Sequence, residues 1–269
     1  MKSLSIYFII IGLIVLVISV GALFYLYGEQ QEIEDTPTPS VRSESLGLEG
    51  DLVINPLTHA FIQITHKGKF IYIDPVDPQG KVNFFGLPKA DYILITHGHA
   101  DHWKKESILA LRKDGTVIIG TQGVADQGGK DFTGFRVMTN GEEVAYDDNL
   151  KVKTLPAYNL TRKNKQEVFY HPLGTGTGYL LTLGEQNVYI AGDTECISEL
   201  EVLKEKVDIM FLPMEGIFTM DPKEAGECAL RLKPKIVYPY HQGQQSPDRF
   251  REVVEKVDKD ISVRTYSLP

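Results

Sequence analysis

A short apolar strand is predicted to end directly in a dense cluster of polar side chains. Residues 92–96 are aromatic, aliphatic or β-branched, which is typical of a buried strand. His97, His99, Asp101 and His102 follow at once. The chain has only seven histidines, and core packing gives no reason to place three of them together. The pattern predicts a functional site at the carboxyl end of this strand.

The residue types in this cluster suit zinc or another late first-row cation. In an extended or turning segment, His97 and His99 can face the same way, whereas the neighbours Asp101 and His102 must diverge. Two metal ions, one for each pair, fit this spacing better than a single ion.

Residues 48–269 are interpreted as one domain, because apolar runs and Gly/Pro punctuation continue steadily through them without an internal repeat. The pattern alternates β-strand and helix signals, which predicts an α/β fold with mixed sheets and helices outside them. The predicted strands are residues 60–65, 69–73, 92–96, 116–120, 150–155, 178–183, 187–191 and 236–240, and the predicted helices are residues 105–113, 199–206, 222–232 and 247–258.

Residues 1–28 are predicted to be a transmembrane anchor or a signal segment. Residues 4–27 carry no charge, and at about 1.5 Å per residue they can cross the roughly 30 Å hydrocarbon core of a bilayer. This length favours one anchor helix over a cleaved signal, although residues 20–22 are small enough for cleavage. The single Lys2 before the segment favours an extracytoplasmic domain, secreted if cleavage occurs.

Composition adds three expectations. Residues 29–47 are rich in Glu, Gln, Ser, Thr and Pro and are predicted to be a polar linker. Cys196 and Cys228, the only cysteines, match no zinc or redox spacing and are predicted to be buried free thiols. The net charge of −8 argues against a nucleic-acid partner, and no pattern indicates an oligomeric state.

The opening cluster resembles the HxHxDH motif of the metallo-β-lactamase superfamily. Residues 191–194 resemble the family's strand-ending motif, whose aspartate, here Asp193, bridges two metals, and residues 238–241 resemble the segment with its last histidine, His241. More narrowly, the chain resembles metal-dependent hydrolases related to the lactonase and N-acyl-phosphatidylethanolamine phospholipase D branches. The resemblance covers about residues 52–243 and implies an αββα sandwich. The narrower resemblance rests on residues 74–75, 156–159, 171–172 and 219–220.

Tyr158 and Asn159 stand where most of the superfamily has a third histidine. An amide oxygen is a weak zinc donor, and an unperturbed phenol, with a pKa of about 10, is rarely ionised. The nearest spare imidazole is His171, and we expect it to complete the first metal site. The alternative is a loop histidine that leaves this site weak. Tyr158 and Asn159 are expected to lie beside the ligands or to face the substrate.

Four further side chains have assigned or open roles. His59 opens the first hairpin at a place where this branch often has a histidine near the metals, with a surface or capping role as the alternative. Thr194 is expected to orient Asp193. Glu215 either faces the pocket or is a turn residue. His66, in a predicted turn, is expected to be solvated.

The resemblance and the ligand set predict a metal-dependent hydrolase of an ester, a lactone or a phosphodiester. Two divalent ions, zinc by default and iron or manganese otherwise, would share a hydroxide, because they lower the pKa of water from 15.7 towards about 7. Asp101 and Asp193 are the predicted catalytic residues. No GxSxG motif offers a competing nucleophile. The alternatives are a lipid phosphodiesterase and a catalytically silent metal-binding scaffold.

Overall fold

The computed structural model describes residues 51–266. The predicted membrane segment and linker lie outside these residues, as do the last three positions. Within the described range, no helix combines the length and apolar character needed to cross a bilayer.

The first of two β-sheets contains six strands in sequential order. Strands β1 to β3 pair antiparallel, and β3 to β6 pair parallel. The strands are β1 Val53–Thr58, β2 Phe61–His66, β3 Lys69–Ile73, β4 Tyr92–Leu94, β5 Val117–Gly120 and β6 Phe135–Val137.

The second sheet contains seven strands in the order β13-β12-β11-β10-β9-β8-β7. Strands β7 to β10 pair antiparallel, and β10 to β13 pair parallel. The strands are β7 Glu143–Asp147, β8 Leu150–Ala157, β9 Gly176–Leu183, β10 Gln186–Ile190, β11 Ile209–Pro213, β12 Ile236–Tyr240 and β13 Ser262–Val263.

Alternating side chains of both sheets build the central core. In β2, Ile62 and Ile64 pack in one buried cluster with Leu181 and Phe211 of the second sheet. Phe61, one position away, belongs to a different cluster on the outer face of the first sheet. The period of two in a strand places successive residues on opposite faces, so the two sheets share one apolar layer.

Helices cover the outer face of each sheet. Ile108 and Leu111 pack with Phe61 outside the first sheet, and Ala229 and Phe250 lie in the cluster outside the second. This αββα order confirms the predicted fold class. The α-helices of the described residues are α1 Lys105–Leu111, α2 Gln122–Asp126, α3 Pro222–Leu232 and α4 Pro247–Glu255, and the 3-10 helices are Phe84–Gly86, Gly129–Asp131 and Ser198–Leu203.

Most predicted elements are present, and several strands were missed. Strands β3 and β12 and helix α3 have the predicted bounds. The predicted helix at residues 199–206 is a short 3-10 helix instead, Ser198–Leu203. The sequence pattern did not predict five strands and one helix, namely β1, β6, β7, β11, β13 and α2.

The prediction of two free thiols is wrong, because Cys196 and Cys228 form a disulfide. The bond joins the segment after β10 to helix α3, across 32 positions of sequence. Both residues pack in the cluster between the second sheet and its helices. Long-range packing of this kind leaves no trace in the spacing of two cysteines.

The prediction that His66 is solvated is also wrong, since the residue is 6% exposed. The hairpin turn contains only Lys67 and Gly68, both at positive φ, of 46° and 76°. Strand β2 therefore continues through His66, which pairs with Lys69. Two residues at positive φ are the signature of a tight hairpin connection.

Candidate metal centre

The carboxyl ends of strands from both sheets meet at one edge of the sandwich. Asp74 follows β3, His97 comes shortly after β4, Asp193 comes shortly after β10, and His241 follows β12 directly. Parallel strands bring such residues to a common edge, where α/β proteins usually bind ligands. Six of the seven histidines gather here: His59, His97, His99, His102, His171 and His241.

The first donor set consists of His97, His99 and His171, whose ligand atoms lie within 4.8 Å of one another. His171 Nε2 is 3.2 Å from His99 Nδ1 and 3.2 Å from Asp193 Oδ2. His97 Nε2 lies 3.9 Å from the same carboxylate oxygen. The structure thus places His171 where the sequence argument expects a third imidazole.

The second donor set consists of His59, Asp101, His102 and His241. Asp101 Oδ2 lies 3.7 Å from His102 Nε2, 3.5 Å from His241 Nε2 and 3.0 Å from His59 Nε2. The neighbours Asp101 and His102 therefore converge on one site with His241, so the prediction that their side chains diverge is wrong. His59 adds a hydrogen bond to the same oxygen of Asp101.

Asp193 lies between the two donor sets. Its Oδ1 is 3.4 Å from His102 Nε2, and its Oδ2 is 3.4 Å from His241 Nε2. The same Oδ2 is 3.2 Å from His171 Nε2 in the first set. One carboxylate therefore reaches imidazoles of both sets, which is the arrangement a bridging ligand needs.

Several buried polar atoms of this cluster have no hydrogen-bond partner within residues 51–266. They include His97 Nε2, His102 Nε2, His241 Nε2 and Asp193 Oδ1, in residues at most 4% exposed. A buried polar atom without a partner is costly, and four such atoms here converge. A His/Asp donor set of this kind fits zinc or a similar cation. We call the two donor sets and Asp193 the candidate metal centre.

The charge states of two central residues suit a cation. Burial lowers the pKa of His97 well below 6.5, and the neighbouring His102 lowers it further. Burial opposes ionisation of Asp193, but the imidazoles of His241 and His102 outweigh it and hold the pKa of the carboxyl well below its usual range. Neutral imidazole and ionised carboxylate are the forms that bind metals.

His102 differs in its proton affinity. Burial lowers its pKa, but the carboxylates of Asp193 and Asp74 outweigh burial and raise that pKa well above 6.5. A cation that binds at His102 Nε2 must therefore displace a proton, so binding at this position releases acid.

Asp74 orients His102 from behind. The carboxylate is fully buried, and its Oδ2 lies 2.7 Å from His102 Nδ1. Thr96 donates to both oxygens, through its backbone N–H at 2.7 Å and its hydroxyl at 2.6 Å. A carboxylate on one ring nitrogen fixes the tautomer and aims the other at the metal. This role of Asp74 was not predicted from the sequence, where its position directly after β3 was the available signal.

Asn159 orients the imidazole of His171, as Asp74 orients that of His102. Its Oδ1 accepts the backbone N–H of His171 at 2.7 Å and lies 3.1 Å from His171 Nδ1. The Asn159 N–H donates in turn to the His171 carbonyl at 2.8 Å. Asn159 is thus buried beside a candidate ligand, as expected, and its amide leaves His171 Nε2 directed at the centre.

Other expected site residues lie elsewhere or act differently. The Tyr158 hydroxyl donates to Glu199 at 3.0 Å, and the ring packs on the cluster behind the second sheet, outside the donor sets. The Thr194 hydroxyl donates to the Glu195 carbonyl at 2.8 Å and accepts the Tyr158 N–H at 3.1 Å. Thr194 therefore anchors the backbone beside Asp193 and does not contact its carboxylate.

Glu215 is a turn residue. Its Oε2 accepts the backbone N–H groups of Ile217 and Phe218, each at 2.9 Å. Of the two roles considered from sequence, the geometry favours this one, because both hydrogen bonds close the loop after β11 on itself.

Three residues of the site have left-handed backbone conformations. The φ angles are 46° at His59, 43° at Asp74 and 49° at His241. Such conformations are unfavourable for residues other than glycine and concentrate at functional sites. The His241 N–H donates to the His59 carbonyl at 3.1 Å, so two of the strained residues support each other.

Known proteins are similar to this chain in sequence and in fold. The family model of the beta-lactamase superfamily domain matches residues 54–241. A metal-dependent hydrolase of Ligilactobacillus salivarius is 36% identical over 190 residues, 68% of this chain and 81% of that protein. Another, from Lysinibacillus sphaericus, is 32% identical over 217 residues, 76% of this chain and 92% of that protein.

Two solved structures of metal-dependent hydrolases are similar to this chain in fold. A candidate metal-dependent hydrolase from Parabacteroides distasonis has a TM-score of 0.73 and 36% identity, covering 81% of this chain and 94% of that one. A metallo hydrolase from Ignicoccus hospitalis shares the fold with a TM-score of 0.67 and 23% identity, covering 80% and 95% of the two chains. The chain belongs to the beta-lactamase superfamily and is one of its metal-dependent hydrolases.

Proposed function

We propose that the protein hydrolyses an ester, a lactone or a phosphodiester with two zinc ions bound at the candidate metal centre. The observation that carries this proposal is the position of Asp193, whose carboxylate lies 3.2 Å from His171 Nε2 in one donor set and 3.4 Å from His241 Nε2 in the other. A single-ion site has no need for a carboxylate shared between two complete sets.

Each donor set is assigned to one of the two ions. His97, His99 and His171 would hold one ion, and Asp101, His102 and His241 would hold the other, with Asp193 between. Two such ions would supply Lewis acidity and a hydroxide nucleophile near neutral pH, because divalent metals lower the pKa of water to about 7.

Asp101 is the residue placed to move a proton. Its side chain is 40% exposed, and its Oδ2 lies 3.0 Å from His59 Nε2. Burial lowers the pKa of His59, although the Asp101 hydrogen bond opposes this, so His59 is neutral at pH 7. His59 therefore donates its Nε2–H to the ionised Asp101 carboxylate, and a proton that Asp101 accepts during the reaction returns to solvent from its exposed side chain.

The test is metal content and turnover of the full chain purified in detergent without chelator. Inductively coupled plasma mass spectrometry should find about two zinc ions per chain, and about one in His241→Ala. The matched control is His66→Gln, which changes the one histidine outside the cluster. Turnover is screened with 4-nitrophenyl butyrate, γ-nonalactone and bis(4-nitrophenyl) phosphate. Two ions without turnover would indicate the silent scaffold, and one ion or none would refute the binuclear centre.

We also propose that residues 4–27 anchor the protein in a membrane with its domain on the extracytoplasmic side. The charge-free segment supports the anchor, and the Cys196–Cys228 disulfide supports an oxidising compartment. In intact cells, a membrane-impermeant phosphine followed by a membrane-impermeant maleimide should label the two cysteines. Labelling only after cell lysis would contradict this location.

A further inference from the structure

Four side chains on two loops form an exposed apolar surface beside the candidate metal centre. Leu173 and Ile217 are 67% and 60% exposed, and Phe218 is 40% exposed. The Tyr170 ring meets the Phe218 ring edge to face, with centroids 4.7 Å apart. Exposed apolar side chains gathered in this way mark a binding surface. We call Tyr170, Leu173, Ile217 and Phe218 the apolar wall.

The apolar wall is connected to the candidate metal centre by the chain on both sides of His171 and by hydrogen bonds through Asn159. Tyr170 precedes His171, and Leu173 follows it by two positions. The Phe218 carbonyl accepts a hydrogen bond from Asn159 Nδ2 at 2.9 Å, and the other end of that amide receives the His171 N–H. The wall therefore stands immediately next to a candidate ligand of the first ion.

Hydrogen bonds also fix the shape of the wall. Glu215 Oε2 accepts from the backbone of Ile217 and Phe218, and Arg162 Nε donates to the Gly216 carbonyl at 3.3 Å. Arg162 in turn pairs with Glu195 at 3.5 Å. A surface whose backbone is already ordered loses little entropy when an apolar group binds.

A neighbouring apolar residue does not belong to the wall. Leu160, 49% exposed on the same loop, lines a separate cavity of about 300 Å³ together with Cys196 and Cys228. Leu160 therefore faces that cavity and is not counted in the wall.

We propose that the apolar wall binds an aliphatic chain of the substrate, so that the enzyme prefers amphiphilic esters or phosphodiesters to small polar ones. The proposal rests on the proposed function, because the reacting group of such a substrate must lie at the candidate metal centre while its chain extends over Phe218 and Ile217. This geometry favours a lipid-like substrate over a compact one.

The experiment measures binding of n-alkanoates, whose carboxylate is a product-like head group, to the zinc-loaded full chain by calorimetry. Affinity should rise from butanoate through hexanoate to octanoate by up to about fourfold for each methylene, the value for full burial of that group. The variant Ile217→Ser/Phe218→Ser should bind butanoate nearly as the wild type does but lose most of the rise. The Asn159 hydrogen bond survives, because it uses the Phe218 backbone.

The matched control is Val257→Ser, which changes a 73% exposed apolar residue just beyond helix α4. It should keep the chain-length dependence. An equal affinity for all three alkanoates in the wild type would overturn the proposal. So would a dimer that Ile217→Ser/Phe218→Ser dissociates, because the wall would then be covered by a second copy.

The two proposals fail separately. A chain that binds octanoate best but hydrolyses none of the test substrates refutes the proposed function and keeps the wall. A chain that hydrolyses short and long esters at equal kcat/KM, with no chain-length dependence of binding, refutes the wall and keeps the proposed function.

Discussion

His171 Nε2 lies 3.2 Å from His99 Nδ1, although 72 positions of sequence separate the two residues. The contact brings an imidazole from the loop between β8 and β9 to the motif that follows β4. Tyr158 and Asn159 stand where the resemblance in sequence predicts a third histidine, and Asn159 orients the imidazole of His171.

Replacement of His171 should remove one ion and leave the other. In His171→Ala, the first donor set keeps only His97 and His99, whereas the second set is intact. We expect about one zinc per chain by mass spectrometry, against about two for the wild type and for His66→Gln. Unchanged metal content in His171→Ala would show that the first ion is held without it.

The role of Asn159 should be visible in metal affinity. Asn159→Ala removes the amide oxygen 3.1 Å from His171 Nδ1, and loss of such an orienting group typically weakens binding 10- to 100-fold. Asn159→Asp keeps an acceptor at this point and should bind zinc more tightly than Asn159→Ala in a chelator competition. Long-range ¹H–¹⁵N NMR spectra of the imidazoles should show the His171 Nδ1–H tautomer in the wild type and a mixture in Asn159→Ala.

Asp74 should matter to the second ion in the same way. Asp74→Ala removes the acceptor 2.7 Å from His102 Nδ1 and the acceptor of the buried Thr96 backbone N–H. The affinity for the more weakly held zinc ion should fall by about 10- to 100-fold, and the free energy of unfolding should also fall. Asp126→Ala, which changes an exposed side chain at the end of helix α2, is the control. Equal affinity in both variants would contradict the orienting role.

The disulfide should contribute strongly to stability. A closed loop of this length, 32 positions, corresponds to about 3–4 kcal/mol of chain entropy in the unfolded state. The double variant Cys196→Ala/Cys228→Ala should therefore unfold at lower urea concentration than the wild type. A thiol reductant should lower the wild-type midpoint and leave that of the double variant unchanged. A wild type insensitive to reduction under unfolding conditions would argue against the bond.

His66 should make stability fall in mild acid. Burial lowers its pKa from 6.5, and the charge of Lys67 lowers it further, while neither ring nitrogen has a hydrogen-bond partner among the described residues. Protonation is then easier in the unfolded chain, so stability is full above about pH 6.5 and declines as the pH falls below it.

The variant His66→Leu removes this titration. Its Tm should drop less than that of the wild type between pH 7.5 and 5.5, measured with chelator present so that metal loss affects both proteins equally. Identical drops would show that His66 does not titrate differently on folding.

Local signals predicted the elements that local interactions determine. The turn at Lys67 and Gly68 fixed the hairpin, and helix α3 starts where Asp221 and Glu224 form a capping box before and within its first turn. Strand β11 was missed because all five of its residues are buried. A short apolar run of this kind has no period that separates a strand from a helix.

The candidate site also has parts that a local motif predicts and parts that depend on contacts between distant segments. The cluster from His97 to His102 is a local motif and was visible in the sequence, and His171 followed from the poor ligand chemistry of Tyr158 and Asn159. The orienting role of Asp74, the disulfide of Cys196 and the burial of His66 depend on contacts between distant segments. Such contacts leave no periodic or spacing signal in a single sequence.

The position of Asp193 between the donor sets has a consequence for the order of assembly. The first sheet supplies His97, His99, Asp101 and His102, and the second supplies Asp193 and His241. Neither half of the chain contains both complete sets, so a full complement of ions requires that both sheets have formed and docked. We therefore expect metal content to report completed folding, because a chain whose sheets have not docked should bind less than the full complement of metal.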